Sequence, residues 1–317
     1  MEFRILNSKA LFLFQLFLVS MLIFSCTKEV KIDIPGYEEQ LVVDGYIEPG
    51  SFPIVLISRT NDIYASTDLN AYLNGFVNGA IVSINDGTKT YQLEEICTDN
   101  LTGANLDIAA AIFGIPAEEL ANYNLCAYTT LTNPLIGEVG KTYNLTVSYE
   151  GKTYTSSTTL LPPTPLLDLY WKEAANKPGL GWTYAKLADP AGQYDAYRWE
   201  VKYKQDIAFT KTFNPFFDDT FFDGLTFEFP YENPMNRNDE SVPEEIRGYY
   251  KKGDTVIVKL SKLGKESFNF FEKKYAQLSS GGNPFATPTN IPTNIKGGAL
   301  GVWVGFSPFY DTLICKP

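Results

Sequence analysis

Polar and apolar residues alternate at the two-residue period of strands between residues 40 and 160, with turn residues between the runs. Residues 40–47 and 52–58 read as strands on either side of Pro49-Gly50. Residues 80–85 and 88–94 read as a hairpin about Asp86-Gly87, because Asp-Gly supplies the positive φ angles of a tight turn. Residues 141–149 and 152–159 repeat the arrangement about Glu150-Gly151. Leu161-Pro-Pro-Thr-Pro165 then breaks the pattern and marks a domain boundary.

Beyond that boundary, residues 194–204 alternate again, with Tyr197, Trp199, Val201 and Tyr203 on one face, and residues 253–260 form a further strand. Residues 261–278 switch to helical spacing. Phe268, Phe271, Tyr275 and Leu278 recur at three and four residues, as in a helix that covers its own sheet. Residues 298–306 and 311–314 are expected to finish that sheet. The predicted fold is mainly β. An N-terminal immunoglobulin-like β-sandwich spans residues 36–161, and a second sandwich-like domain with one amphipathic helix spans residues 166–317.

A small helical insert, residues 97–126, interrupts the first sandwich. Residues 106–113 have a helical pattern that Gly114 ends, and Pro116 restarts a helix where its missing N–H costs nothing. Cys97 and Cys126 bracket the insert. A disulfide between them would staple its base and add about 3 kcal/mol in the chain-entropy treatment.

The first twenty-five residues have the order of a secretory signal: Arg4 and Lys9, then a nearly unbroken apolar run from 10 to 24. Cys26 follows directly after Ser25, which predicts cleavage before the cysteine and lipidation on it, with residues 26–35 as a tether. That route leaves the reducing cytosol and so permits the disulfide.

Composition narrows the chemistry. The chain contains no histidine, which removes Ser-His-Asp and Cys-His catalysis and every His-ligated metal site. Its formal charge of −11 argues against a nucleic-acid partner and against electrostatic docking on anionic lipid. A covalent anchor is the simpler route to a membrane. No cofactor, metal or catalytic residue is expected.

Two stretches could carry recognition. Residues 209–231 hold nine aromatics among carboxylates. Phe216, Phe217, Phe221 and Phe222, with Asp218, Asp219 and Asp223, form a candidate rim for a partner or ligand. The alternative is a large loop whose phenylalanines plug one end of the domain. The acids precede Gly224 but lack the Asp-x-Asp-x-Asp-Gly spacing of a calcium loop. Residues 279–298 form a long Pro/Asn/Thr-rich loop that offers Phe285 and Asn294 as further contact candidates.

That second loop carries a resemblance. Asn283-Pro284-Phe285 and Pro292-Thr-Asn-Ile-Lys-Gly-Gly-Ala-Leu-Gly-Val302 stand in order with Leu41-Val-Val-Asp-Gly-Tyr-Ile47, Gly140-Lys-Thr-Tyr143, Gly151-Lys-Thr-Tyr154, Phe221-Phe-Asp-Gly224 and Gly253-Asp254. Together they resemble a Bacteroidota lipoprotein family labelled domain of unknown function 4249. Ile23-Phe24-Ser25 is a looser lipidation signal than the Leu-Ala-Gly type. The resemblance implies an outer-membrane lipoprotein encoded beside a TonB-dependent transporter, and it implies no catalytic residues. The expected function is therefore non-enzymatic: a lipid-anchored protein of the outer membrane and cell surface, serving a barrel transporter as accessory or ligand-capture partner. A stand-alone surface lipoprotein that binds glycan or peptide is the first alternative. A carboxylate-based hydrolase is the second.

Overall fold

The computed structural model describes residues 38–60, 73–279 and 290–316. The signal and tether, Cys26 and Phe285 lie outside the described residues. The first half contains β1 (Leu41–Ile47), β2 (Ile54–Arg59), β3 (Ile81–Asn85), β4 (Thr90–Gln92), β5 (Glu94–Cys97), α1 (Ala104–Phe113), α2 (Ala117–Leu120), β6 (Cys126–Thr129), β7 (Thr142–Tyr149) and β8 (Lys152–Thr159). The second half contains β9 (Leu166–Glu173), β10 (Leu180–Ala188), β11 (Ala196–Tyr203), β12 (Thr210–Asp218), β13 (Thr226–Tyr231), α3 (Pro234–Arg237), β14 (Tyr250–Lys251) and β15 (Thr255–Leu263). It ends with α4 (Lys265–Ser279), β16 (Leu300–Gly305) and β17 (Ser307–Ile314).

The fold is mainly β and of sandwich type. Sheets ordered β16-β1-β2-β6-β5 and β4-β3-β7-β8 face each other. Alternation places Val43 and Ile47 of β1, Val82 and Ile84 of β3, and Tyr143, Leu145 and Val147 of β7 in one core between them. The second pair is β12-β11-β15-β17 against β13-β10 with β9 and β14. Its core holds Trp171, Leu187, Tyr197, Trp199, Val258 and Phe229.

The expected hairpins form. Asp86 caps its turn by accepting hydrogen bonds from the Thr88 N–H and hydroxyl and from the Lys89 N–H, which pulls its carboxyl down to about 2. Helix α1 ends at Gly114 in the left-handed conformation, φ 70°. Cys97 and Cys126 are cross-strand partners in β5 and β6 and form the disulfide.

Two expectations are corrected. Residues 300–305 do not extend the second sandwich. β16 pairs in parallel with β1 of the first, from Val42↔Leu300 to Ile47↔Gly305, and the chain crosses into the second sandwich only at β17. The reason lies in β16 itself. Trp303 faces the first core while Val302, Val304 and Phe306 face α4, so the strand is buried on both faces at the end of its sheet. Residues 209–231 are likewise not one loop but two edge strands, β12 and β13, joined by a short turn.

The sequence around β16 is shaped by close approach. Trp303 is fully buried and its indole N–H donates to the Tyr143 carbonyl at 2.9 Å. Gly45 lies opposite it, where a Cβ would come within 2.9 Å of the ring. Gly301 has φ +105°, and a Cβ there would sit 2.0 Å from the Val43 carbonyl oxygen. Asn294 brackets Trp303: its Nδ2 donates to the Trp303 carbonyl at 2.8 Å and its Oδ1 accepts from the Trp303 N–H at 2.9 Å.

Helix α4 lies on the outer face of the β12-β11-β15-β17 sheet and against β16, so one helix serves both sandwiches. Phe271 stacks on Phe216 at 4.3 Å and packs against Phe306 at 5.9 Å. Beside it, Glu48 follows β1 and reaches the second sandwich. Its carboxylate lies 2.6 and 2.9 Å from Lys259 Nζ and 3.5 Å from Arg198 Nη2. Arg198 also pairs with Glu200 at 2.7 Å and lies 3.6 Å from the centroid of the Phe306 ring. All four charged side chains are buried. Such a network adds little net stability, because desolvation offsets attraction, but removing one member strands the others.

Two outcomes follow for stability. Gly301→Ala should lower the unfolding free energy by on the order of 3 kcal/mol or more, through backbone strain and displacement of β1. Glu48→Ala should cost about 3 kcal/mol, because it leaves two buried cations, Lys259 and Arg198, to the one remaining carboxylate of Glu200, 3.8 and 2.7 Å away. Urea denaturation of both variants measures this; a loss below 1 kcal/mol in either would contradict the packing described.

Candidate functional site

The linker of residues 161–165 arrives where the 189–195 connection, the start of β11 and the turn between β12 and β13 converge. Asp189 follows the end of β10, Asp195 precedes β11, and Asp219 opens the turn at residues 219–225. All three are buried. Asp195 and Asp219 hold each other: the Asp195 N–H donates to Asp219 Oδ2 at 2.8 Å, and the Asp219 N–H donates to the Asp195 carbonyl at 3.0 Å. Lys262 of β15 pairs with Asp195 at 2.6 Å. Tyr197 donates its hydroxyl to Asp189 Oδ1 at 2.8 Å, and the Gly224 N–H approaches Asp189 Oδ2 at 3.3 Å.

These contacts fix the turn. The Phe222 and Asp223 N–H groups donate to the Asp219 carbonyl, Asp223 Oδ1 accepts from Gly192, and Gly224 takes φ +70° where a side chain would be strained. Burial raises the Asp189 carboxyl above its ordinary range, against the lowering effect of its Tyr197 and Gly224 hydrogen bonds, and the neighbouring charges of Asp195 and Asp219 add to the rise. Burial also raises the Tyr197 hydroxyl. Beside the cluster lies a cavity of about 370 Å³, walled by Pro162, Pro163 and Pro165 with Tyr194, Asp195 and Lys262.

Oxygens of Asp189, Asp219 and Asp223 lie within 4.8 Å of one another, a donor set of the kind that hard divalent cations take. The carboxylates otherwise spend their hydrogen bonds on the turn they support. What the arrangement does is hold a loop rigid.

The sequence candidates divide sharply. Phe221 is 93% exposed at the tip of the turn, with Asp223 exposed beside it and Asp218 half-buried, bonded to Thr220 and Tyr194. Phe222 is buried, and Phe217 packs on Tyr197 and Phe229; both belong to the core. Phe216 is spent on Phe271 and Tyr275 of α4. Asn294 is spent on Trp303, so its amide is part of the fold instead of a presented contact. Asp189, Asp195 and Lys262 were not singled out by sequence, and Tyr197 was read only as one face of a strand. Lys262 falls in the stretch 261–278 read as a helix, whereas β15 runs on to Leu263 and the helix begins at Lys265. Only the fold brings them together.

Fold and site together define a two-sandwich β protein that presents a braced aromatic turn. Its sequence matches the family described as domain of unknown function DUF4249 over residues 27–308, and the chain belongs to that family. No curated protein matches it. Among the described residues, no helix is long and apolar enough to cross a membrane.

The Asp189 shift sets a pH dependence. A folded-state pKa above the unfolded value means that the folded form binds the proton more tightly. Its contribution is present at low pH and is lost as the pH rises through the raised pKa. Between about pH 3.8, the ordinary value, and neutrality, the native protein should therefore lose stability relative to Asp189→Asn as pH increases. Urea midpoints for both proteins across that range test the sign; parallel curves would show that the carboxyl is not shifted.

Proposed function

We propose that this chain is a non-enzymatic lipoprotein of the bacterial outer membrane, tethered through Cys26 and exposed at the cell surface. In this reading its second sandwich engages a barrel transporter of the TonB-dependent class. The observation that supports it is Phe221. A phenylalanine exposed at 93% gains about 1.5–3 kcal/mol when a partner buries it, and aromatics of this kind dominate interface energetics. The turn beneath it is braced by Asp189, Asp195 and Asp219, so little conformational freedom is lost on docking. Asp223 beside it, and the net charge of −11, favour a partner surface that is basic around an aromatic-accepting pocket.

The test is affinity capture of the lipidated full-length protein from outer membranes in mild detergent. An outer-membrane barrel should be recovered, and Phe221→Ser should weaken its retention by at least about tenfold while leaving thermal stability unchanged. Cys26→Ser should move the protein from the membrane to the soluble envelope fraction. Recovery without any barrel, or equal recovery with Phe221→Ser, would refute the proposal.

A further inference from the structure

Away from the braced turn, at the other end of β13, a groove runs between the open edges of β12 and β13 and on beneath residues 232–249. It has two compartments, of about 350 and 380 Å³, that share Glu232 and Arg237 in their walls. The volumes fall in the range of small-ligand sites. We infer that this groove is a binding site for a neutral oligosaccharide.

Three observations carry the inference. The first is aromatic surface. Phe213 is 74% exposed in the first compartment, and Tyr231 lies beside it, backed by Trp199 stacked at 4.1 Å. The second compartment has Trp182 stacked on Tyr249 at 5.5 Å. A pyranose ring presents C–H patches that cover such rings and hydroxyls that do not.

The second is charge balance. Glu232 forms an ion pair with Arg237, and Glu244 and Arg247 are the charged residues that the second compartment adds. In a chain with formal charge −11, the groove has equal numbers of acids and bases. It offers no surplus for a phosphate, a nucleotide or a cation. Planar carboxylates and guanidinium groups together supply both the acceptors and the donors that sugar hydroxyls need.

The third is that the walls are preorganised. The Asn233 and Asn236 amides both donate to the Tyr249 carbonyl at 3.0 Å, and Arg247 ties back to the Val242 and Glu240 carbonyls. Walls held in place this way lose little conformational freedom when a ligand binds.

The site is separate from Phe221, so the two readings stand or fall apart. Calorimetric titration of the full-length protein in detergent tests it, with malto-, cello-, laminari-, manno- and chitohexaose as probes. Oligogalacturonate and a mixed-sequence peptide serve as contrasts. At least one neutral hexasaccharide should bind at micromolar to millimolar concentration and change tryptophan fluorescence. Phe213→Ala and Glu244→Gln should each weaken it at least about tenfold with no change in thermal midpoint, and Phe221→Ser should leave it intact. Absence of binding by every neutral hexasaccharide, binding of oligogalacturonate or peptide alone, or full affinity in Phe213→Ala would each overturn the assignment.

Discussion

Strand β16 is bonded to β1 as a parallel neighbour and is buried on both faces, and this double burial organises the molecule. On one side Trp303 fills the first core; on the other Val302, Val304 and Phe306 meet α4 and the second sandwich. A strand in this position cannot tolerate a misplaced polar group or an extra methyl, because interiors are packed to crystal-like density. The surrounding chain reflects that demand. Gly45 clears space for the indole, Gly301 lets the backbones approach, and Asn294 satisfies the peptide groups of Trp303. The segment with the densest family resemblance is thus an architectural seam, and its residues are accounted for by packing.

Two buried polar assemblies complete the frame, and they differ in kind. The Glu48, Arg198, Glu200 and Lys259 network has matched charges and bridges the halves. The Asp189, Asp195 and Asp219 cluster is unbalanced, with Lys262 as its ion-pair partner among the described residues. That imbalance is accepted where backbone N–H groups of a tight turn need acceptors. The result is an exposed aromatic held on a stiff base.

Much of this was legible from the sequence because it depends on local rules. The hairpins about Asp86-Gly87 and Glu150-Gly151, the amphipathic helix and the Cys97–Cys126 pairing each follow from a short span whose chemistry admits few alternatives. The segment from 209 to 231 was misread because a register shift interrupts the alternation of β12, and because its adjacent Phe216 and Phe217 face opposite sides of the sheet, each covered by a different partner. Arg198, Glu200 and Lys259 look like solvent positions on alternating strands. Their burial comes from a helix and a loop far away in sequence. The candidate site was half legible for the same reason: Phe221, Asp219 and Asp223 sit in one short stretch, whereas Asp189, Asp195 and Lys262 are joined to it only by topology.

The late position of β16 has a consequence for the order of events in biogenesis. Neither sandwich is complete until residues near the C-terminus are available, since β16 closes the first and β17 extends the second. Closure between strands so distant in the chain is entropically slow. The first core therefore gains Trp303, its largest side chain, only when residues 300–305 arrive from the far end of the domain.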